Sequence, residues 1–356
     1  MTTRQVDYII VGQGLAGSAV AVQLLRQGKR ILVIDQPSRN NSSRIAAGLF
    51  NPITGRKMVK TWMADTLFPY LFSFYRAVEE KTGQKFFYPM PLYRPFLSVE
   101  EQNEWMGKSA SPAYASYIEK ITTTSTFPAV ADPFGGLLLK QCGYLDTEGY
   151  LDAVRQWIVQ ENEFLLEDLE ERALTLSAEG VRYKQYEASG IIFCTGVHTS
   201  ETFQWLPVKP LKGEMIRIRA AFEPDVILNR GVFMVPAGEP GEWRVGATYN
   251  FQDASPDVTP QACAELVERL NELIRFPAEV IGQTAGVRPT TPDRRPLLGR
   301  HPQWESAFVF NGMGTKGVSL TPYFSEVLIG AVLNIPAINK EVDIERYNVL
   351  YWTSPK

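Results

Sequence analysis

The stretch Asp7-Tyr-Ile-Ile-Val-Gly-Gln-Gly-Leu-Ala-Gly-Ser-Ala-Val-Ala21 decides the fold of this chain. The apolar run Tyr8 to Val11 predicts a buried strand, and the residues from Ser18 to Gln27 continue with helical spacing. Gly28 is placed to end that helix, and Arg30-Ile-Leu-Val-Ile-Asp35 predicts a second strand. Strand, helix and strand in this order form a βαβ unit, so we expect an α/β fold.

The glycines of this unit predict a dinucleotide site. Gly12 allows a tight turn, Gly14 lets a pyrophosphate approach the backbone, and Gly17 lets the helix pack closely on the strand. Free N–H groups at a helix start favour a bound anion. Asp35 is then expected to accept hydrogen bonds from ribose hydroxyls. The predicted site also includes the neighbouring residues Leu15, Ala16 and Gln36.

Composition and charge exclude several functional classes. The chain has 356 residues, which suits two domains, and a net charge of −3 with a pI near 5.7. This balance makes nucleic-acid binding unlikely as a function, although Arg56-Lys57 with Lys60 forms one basic cluster, which we interpret as a solvated loop. The three cysteines indicate neither a disulfide framework nor a zinc site. Neither His198 nor His301 has a Ser or Cys motif partner, which argues against hydrolase triads.

Strand and turn signals typical of nucleotide binding occur in three separated blocks. We therefore predict a discontinuous cofactor domain from residues 1–60, 143–205 and 282–356, and a substrate domain from 61–142 and 206–281. The second insertion contains alternating runs that predict an antiparallel sheet above the cofactor: Glu214–Arg219, Val232–Val235 and Trp243–Tyr249. The sequence shows no signal peptide and no apolar run long enough to cross a bilayer, so we expect a cytoplasmic protein.

Seven segments spread over nearly the whole chain carry a family resemblance. They are Gly12, Gly14 and Gly17 with Asp35; Ser42–Leu49; Cys194–Gly196; Lys212–Glu214; Val245–Thr248; Gly286–Asp293 with Pro296–Gly299; and Asn311–Ser319. In this order they resemble the D-amino-acid oxidase and glycine oxidase family of FAD-dependent oxidoreductases. The resemblance implies a Rossmann-like, glutathione-reductase-like FAD-binding domain and an α+β substrate domain with a mostly antiparallel sheet.

The resemblance also implies which residues contact FAD. Ser42 and Ser43 are expected beside the pyrophosphate, and Ala47, Gly48 and Leu49 against the isoalloxazine. A second backbone approach is expected at Thr195 and Gly196, and the flavin pyrimidine edge is expected to lie against the segment Gly312, Met313, Gly314, Thr315, Lys316, Gly317 and Val318. A solvent-facing Lys316 remains an alternative. The FAD is expected to be noncovalent, because Thr290 and Thr291 stand where sarcosine oxidases have the attaching cysteine.

Arg288 is the main catalytic candidate, because the resemblance makes it a two-pronged clamp for a substrate carboxylate. A structural ion pair with Asp293 is the alternative. Phe233 and Tyr249 are expected to face the flavin across the substrate pocket. Trp62, Tyr93 and Arg94 are either further contacts of the substrate or ordinary core residues. No role is assigned to Arg294 and Arg295, which follow Arg288 in the sequence.

The predicted function is oxidation of the C–N bond of an amino acid or another carboxylated amine, with hydride transfer to flavin N5. The expected partner is a small-molecule carboxylated substrate, and the oligomeric state is not predicted. Oxidation of a 2-hydroxy acid is an alternative, but it requires a base for the hydroxyl proton. Ala47-Gly-Leu-Phe-Asn-Pro52 is also similar to the oxidase half of a tRNA-modifying enzyme. A noncatalytic flavin-binding protein is the remaining alternative.

Overall fold

A computed structural model describes residues 3–36, 42–55, 58–222, 224–333 and 338–353. Arg56 and Lys57 therefore lie outside the described residues. The N-terminal motif forms the centre of a six-stranded sheet, whose spatial order is Glu163–Leu166, Ile31–Asp35, Tyr8–Val11, Gly190–Phe193, Ala307–Asn311 and Leu297–Arg300. All neighbours pair in parallel except the last two strands, which are antiparallel.

Three helices pack together beside this sheet: Leu15–Arg26, Thr147–Glu161 and Gly317–Val332. The first helix is buried along most of its length, and small residues such as Ala19 and Ala21 let it lie close to its neighbours. The predicted βαβ unit is present. Its helix spans Leu15–Arg26 and includes most of the stretch Ser18 to Gln27 predicted as helical, and Gly17 packs directly against the turn.

An eight-stranded sheet forms the second large layer. Its order is Glu279–Thr290, Lys209–Arg219, Glu242–Gly246, Val232–Pro236, Ile227–Arg230, Leu92–Pro95, Gly136–Leu139 and Ile118–Thr122. Its neighbours are antiparallel except Ile227–Arg230 with Leu92–Pro95. The helix Pro260–Leu273 buries its apolar side chains against this sheet. The predicted fold class, a parallel Rossmann-like sheet with a mostly antiparallel second sheet, is confirmed.

The remaining elements connect these two layers. Three smaller sheets comprise Arg4–Gln5, Tyr186–Ala188, Val181–Tyr183 and Leu174–Leu176; then Leu49–Phe50, Gly143–Leu145 and Phe87–Pro89; then Ile53–Thr54 and Val59–Lys60. The other α-helices are Ala64–Thr82, Val99–Ser109, Pro112–Ala115 and Asn348–Thr353. Short 3₁₀ turns occupy Glu171–Ala173, Glu201–Phe203 and Ile344–Tyr347.

One long strand runs past the boundary proposed at residue 282. Strand Glu279–Thr290 pairs with Lys209–Arg219 over nearly its full length, and a short loop then leads to Leu297–Arg300 in the six-stranded sheet. The strand Glu279–Thr290 thus belongs to the eight-stranded sheet on both sides of the proposed boundary, and the chain enters the six-stranded sheet only after it. The division into domains stays a prediction. Among the described residues, no helix is long and apolar enough to cross a membrane.

His301 is buried among aromatic rings, where the neutral form of its imidazole is favoured. Its Nδ1 accepts hydrogen bonds at 3.1 Å from the backbone N–H groups of both Gln303 and Trp304. Burial lowers the pKa of His301 from 6.5 to about 4. Since the folded protein takes up the proton less readily than the unfolded chain, the neutral ring stabilises the fold fully above pH 6.5.

We predict that this contribution disappears as the pH falls from 6.5 to about 4. The free energy of unfolding should then fall by about 2 kcal/mol more in the wild type than in His301→Asn, whose amide oxygen still accepts a hydrogen bond but does not titrate. Urea denaturation at a series of pH values measures this difference. The exposed His198→Asn is the control; equal pH slopes in wild type and His301→Asn would contradict the interpretation.

Candidate functional site

The turn after the first strand has no room for side chains. Gly12 has φ of +94°, and a Cβ atom there would lie 2.6 Å from the carbonyl oxygen of Cys194. A Cβ atom on Gly17 would lie 1.8 Å from the carbonyl oxygen of Gly12. Only glycine fits these two positions, and the helix therefore starts directly above the ends of the parallel strands. The N-cap residue Gly14 has no side chain to cap the helix, which leaves N–H groups of the first turn for an anion.

Ser43 ties the following loop to this helix start. The backbone N–H of Leu15 donates to Ser43 Oγ at 3.1 Å, and a Cβ on Gly14 would lie 2.9 Å from the same oxygen. Ala16, next along the helix, is half-buried, and Ser42 lies beside the backbone of Gly286. The structure thus brings the predicted pyrophosphate residues to one helix N-terminus.

Asp35 ends the second strand of the βαβ unit and is held by two protein donors. One carboxylate oxygen accepts from the backbone N–H of Gln13 at 2.8 Å, and the other accepts from Arg155 at 2.9 Å. Burial raises the pKa of Asp35, while both donors act in the opposite direction. Each oxygen keeps a lone pair for a ribose hydroxyl. The adjacent Gln36 is half-buried.

Ala47, Gly48 and Leu49 form a tight backbone segment next to an apolar wall. Gly48 has φ of +73°, and a Cβ there would lie 1.8 Å from the carbonyl oxygen of Leu145. The methyl group of Ala47 belongs to a small apolar cluster with Met215, Ala247 and Phe233. These small and flat side chains leave a surface that suits an aromatic ring system.

The third segment of the site is the turn before the helix Gly317–Val332. Asn311 Nδ2 donates to the carbonyl oxygen of Gly196 at 2.8 Å, which places the turn beside Thr195 and Gly196. Gly312 and Gly314 have φ of +74° and +55°, Met313 and Val318 are buried, and Thr315 is exposed. A Cβ on Gly317 would lie 3.1 Å from Leu15 Cδ1, so two helix N-termini lie side by side. A long anionic dinucleotide fits this arrangement.

Lys316 does not face open solvent. Its ammonium donates to Thr54 Oγ1 at 3.1 Å and Thr61 Oγ1 at 3.3 Å, both on the hairpin of strands Ile53–Thr54 and Val59–Lys60 or directly after it. Burial lowers the pKa of Lys316, and the nearby Arg295 and Arg294 lower it further. The solvent-facing alternative is wrong, while a contact of Lys316 with the flavin stays a prediction.

Arg288 lies in a gap that glycine leaves open. Its Nη1 is buried without a hydrogen-bond partner in the described part of the chain, and a Cβ on Gly213 would lie 2.1 Å from that nitrogen. Its guanidinium carbon is 5.5 Å from the ring centroid of Tyr249, whose side chain is exposed. Burial lowers the pKa of Arg288. The guanidinium is therefore a desolvated cation without an anionic partner among the described residues.

The alternative of an Arg288 ion pair with Asp293 is wrong. Asp293 Oδ2 instead accepts hydrogen bonds from Arg346 at 3.0 Å and from Tyr347 at 3.1 Å. Tyr249 lies over the guanidinium of Arg288, and Phe233 lies in the apolar cluster with Ala47, Met215 and Ala247.

Two of the three further candidates are structural. Tyr93 is buried and donates to Asp132 at 2.8 Å, and Arg94 pairs with Glu101 at 3.2 Å. Trp62 instead stacks on Phe324 of the helix Gly317–Val332, with ring centroids 5.6 Å apart. Trp62 directly follows Thr61, whose hydroxyl accepts a hydrogen bond from Lys316, so it lies near the site.

Sequence reasoning missed several residues that shape the site. Lys212 is buried, binds Asp253, and donates to Ser255 at 3.2 Å, which fixes the loop that carries Tyr249. Asn51 is buried, and its Oδ1 has no hydrogen-bond partner in the described residues. Lys212 lies in the Lys-Gly-Glu motif, so a local signal for it was present. Arg155 carries no local signal, because it binds Asp35 across the fold. The described residues contain no group of three His, Cys, Asp or Glu that could hold a metal ion.

A family model described as FAD dependent oxidoreductase (DAO) matches residues 7–330. The bifunctional protein ThiO/ThiG of Synechocystis is 26% identical over 354 residues, which cover 92% of this chain and 52% of that protein. A tRNA 5-methylaminomethyl-2-thiouridine biosynthesis bifunctional protein of Marinobacter nauticus is 22% identical, over 92% of this chain and 56% of that protein. The chain thus spans about half the length of these curated relatives.

Two solved structures share the fold. Glycine oxidase from Geobacillus kaustophilus has a TM-score of 0.77 at 19% identity, covering 97% of this chain and 98% of that one. Iminodiacetate oxidase from Chelativorans has a TM-score of 0.76 at 20% identity, covering 96% and 98%. Together with the family match over most of the sequence, the glycine cradle and the paired helix starts lead to one assignment: the chain belongs to the DAO family of FAD-dependent oxidoreductases.

Proposed function

We propose that this protein oxidises the C–N bond of an amino acid or another amine that carries a carboxylate, with FAD held noncovalently. Arg288 binds the carboxylate through its planar guanidinium. The observation that carries the proposal is the buried Nη1 of Arg288, which has no partner in the described residues. A buried cation without an anion is costly, so an anionic ligand is the expected partner.

The surroundings of Arg288 suit a small carboxylated molecule. Tyr249 covers one side of the guanidinium, and Phe233, Met215 and Ala247 provide apolar surface nearby. This apolar surface strengthens the ion pair, and the planar guanidinium fixes the orientation of the carboxylate. When bound, FAD supplies the acceptor for the hydride that leaves the carbon next to nitrogen.

The position of the histidines favours an amine over a 2-hydroxy acid. His301 packs against Phe203, Trp205 and Tyr351, and His198 is exposed after the strand Gly190–Phe193. An amine that binds neutral needs no protein base, whereas a hydroxyl group must lose its proton to one. The two structural neighbours are a glycine oxidase and an iminodiacetate oxidase, and glycine and iminodiacetate are both amines that carry carboxylates.

A second candidate is oxidation of a modified tRNA base, because the Marinobacter relative matches 92% of this chain. The net charge of −3 counts against it, since tRNA binding depends on neutralising phosphates. We expect bulk tRNA at moderate salt to give no shifted complex in a native gel. A stable complex that dissociates when salt is added would instead favour tRNA-base oxidation over oxidation of a small carboxylated amine.

Replacing Arg288 tests the leading proposal directly. We expect Arg288→Ala to lower kcat/KM for a carboxylated amine by about a hundredfold or more, because a desolvated charge-assisted pair is lost. The donor is found by anaerobic mixing with amino acids, N-methyl amino acids and hydroxy acids while flavin absorbance is followed. Arg269→Ala, which removes a helix-surface arginine paired with Glu265, is the matched control. Unchanged turnover in Arg288→Ala would refute the proposed role.

Gly213 offers a test that keeps the guanidinium. A methyl group at Gly213 would meet Arg288 Nη1 at 2.1 Å, so Gly213→Ala should displace the arginine and weaken butanoate binding by about tenfold or more. Titration of the FAD-loaded protein with butanoate, followed by flavin absorbance, measures the affinity. Gly282→Ala is the control on the partner strand, where a new Cβ would lie 3.8 Å from its nearest described neighbour, Arg217 Cβ. Equal affinities in both variants would argue against the clamp.

A further inference from the structure

Three cations gather beside the start of the helix Gly317–Val332. They are Lys316, which caps that helix, and Arg294 and Arg295, which follow the strand Glu279–Thr290. Arg295 lies over the ring of Trp62, and the preceding residue, Thr61, accepts a hydrogen bond from Lys316, so these cations lie close together. Both arginines accordingly lower the pKa of Lys316 in addition to the effect of burial. The cluster is therefore a local concentration of positive charge next to the proposed active site.

The partners of this cluster are neutral. Lys316 donates to the hydroxyls of Thr54 and Thr61, at 3.1 and 3.3 Å. The guanidinium carbon of Arg295 lies 4.0 Å from the ring centroid of Trp62. In the part of the chain that the structure describes, no ion pair joins any of the three cations to a carboxylate.

The nearest acid along the chain is already engaged. Asp293 Oδ1 accepts from the backbone N–H of Arg295 at 2.9 Å, and its other oxygen accepts from Arg346 and Tyr347. A neighbouring lysine shows the contrast: Lys60, on the same hairpin as Thr54, pairs with Asp65 at 2.5 Å. Within the described residues, no carboxylate thus compensates the positive charge of Lys316 and its two neighbours, which favours an anion from outside the chain.

The cluster adjoins Arg288 through the backbone. The N–H of Gly314 donates to the carbonyl oxygen of Pro289 at 2.8 Å, so the turn that leads to Lys316 is bonded to the residue after Arg288. A Cβ on Gly314 would lie 3.6 Å from Thr290 Cγ2. The two cationic groups therefore sit on adjoining segments of one site.

We propose that Lys316 and Arg295 bind a second anionic group of the substrate, so that the amine oxidised carries two acidic groups. This inference rests on the proposed function, because Arg288 must bind the first group. Carboxylate and phosphate share the chemistry that a lysine and an arginine recognise. A small molecule is favoured over an RNA backbone, since Lys316, Arg295 and Trp62 are half-buried and Thr61 is buried, whereas phosphate backbones meet exposed side chains.

The test compares non-reacting acids on the FAD-loaded protein. Dicarboxylates of about three to six carbons and the monocarboxylates of matching length are titrated while flavin absorbance is followed, with the shift in melting temperature as a second readout. We expect the best dicarboxylate to bind at least about tenfold more tightly than its monocarboxylate. Lys316→Met should bring this ratio near one, and Arg295→Met should lower it.

Two further variants keep the test informative. Lys316→Arg retains the charge and should retain a preference for the dicarboxylate. Lys60→Met removes a lysine from the same hairpin that already has a carboxylate partner, so it should keep the wild-type ratio. If Lys316→Met fails to bind FAD, Arg295→Met decides the question.

Several outcomes would overturn the inference. Equal affinities for both acids in the wild type would do so, as would a preference that survives in Lys316→Met. Inorganic phosphate or bulk tRNA that displaces monocarboxylates and dicarboxylates equally would point to another ligand. Failure of the proposed function looks different: the wild type would then bind neither acid, and Arg288→Ala would change nothing.

Discussion

The pairing of Lys209–Arg219 with Glu279–Thr290 is the constraint on which the site depends. Its register sets Gly213 opposite Gly286 and Leu211 opposite Arg288, so the guanidinium falls where one strand has no side chain. Because side chains alternate along a strand, a slip by one residue would turn Arg288 to the opposite face of the sheet. The buried Lys212 and Glu214 on either side of Gly213 hold the neighbouring loop and so resist such a slip: Lys212 binds Asp253, and Glu214 accepts from Thr259 and Gln283.

The cofactor side of the site depends on close backbone approach. Gly12, Gly17 and Gly48 each lie where a Cβ would overlap a carbonyl oxygen. These contacts bring two helix N-termini and one apolar wall together, so that backbone N–H groups face the predicted pyrophosphate position. The cations Arg288 and Lys316 lie on an adjoining strand and turn, which are joined by the hydrogen bond from Gly314 to Pro289. In the proposed function, recognition of FAD therefore uses backbone dipoles, while recognition of substrate uses side-chain charge.

Local patterns predicted much of the fold, because strands, glycine turns and helix starts are determined by residues that are adjacent in the sequence. The βαβ unit, the strand before Thr195, and the helix after Lys316 follow directly from such patterns. The partners of side chains did not follow. Arg155 reaches Asp35 from a helix 120 residues away, and Asp293 binds Arg346 rather than Arg288. The strand predicted to reach Tyr249 ends at Gly246, although Thr248 and Asn250 still bond to Glu214 and Lys212. These side-chain partners depend on contacts between residues that are far apart in the sequence, which no local pattern contains.

The order of strands in the parallel sheet has a consequence for synthesis on the ribosome. Tyr8–Val11 pairs with Gly190–Phe193, which in turn pairs with Ala307–Asn311. A nascent chain therefore exposes an apolar, unpaired strand edge until residues 307–311 have emerged. Such an edge is a template for intermolecular association, so the yield of native protein in a cell is expected to depend on translation speed and on chaperones that shield the growing chain.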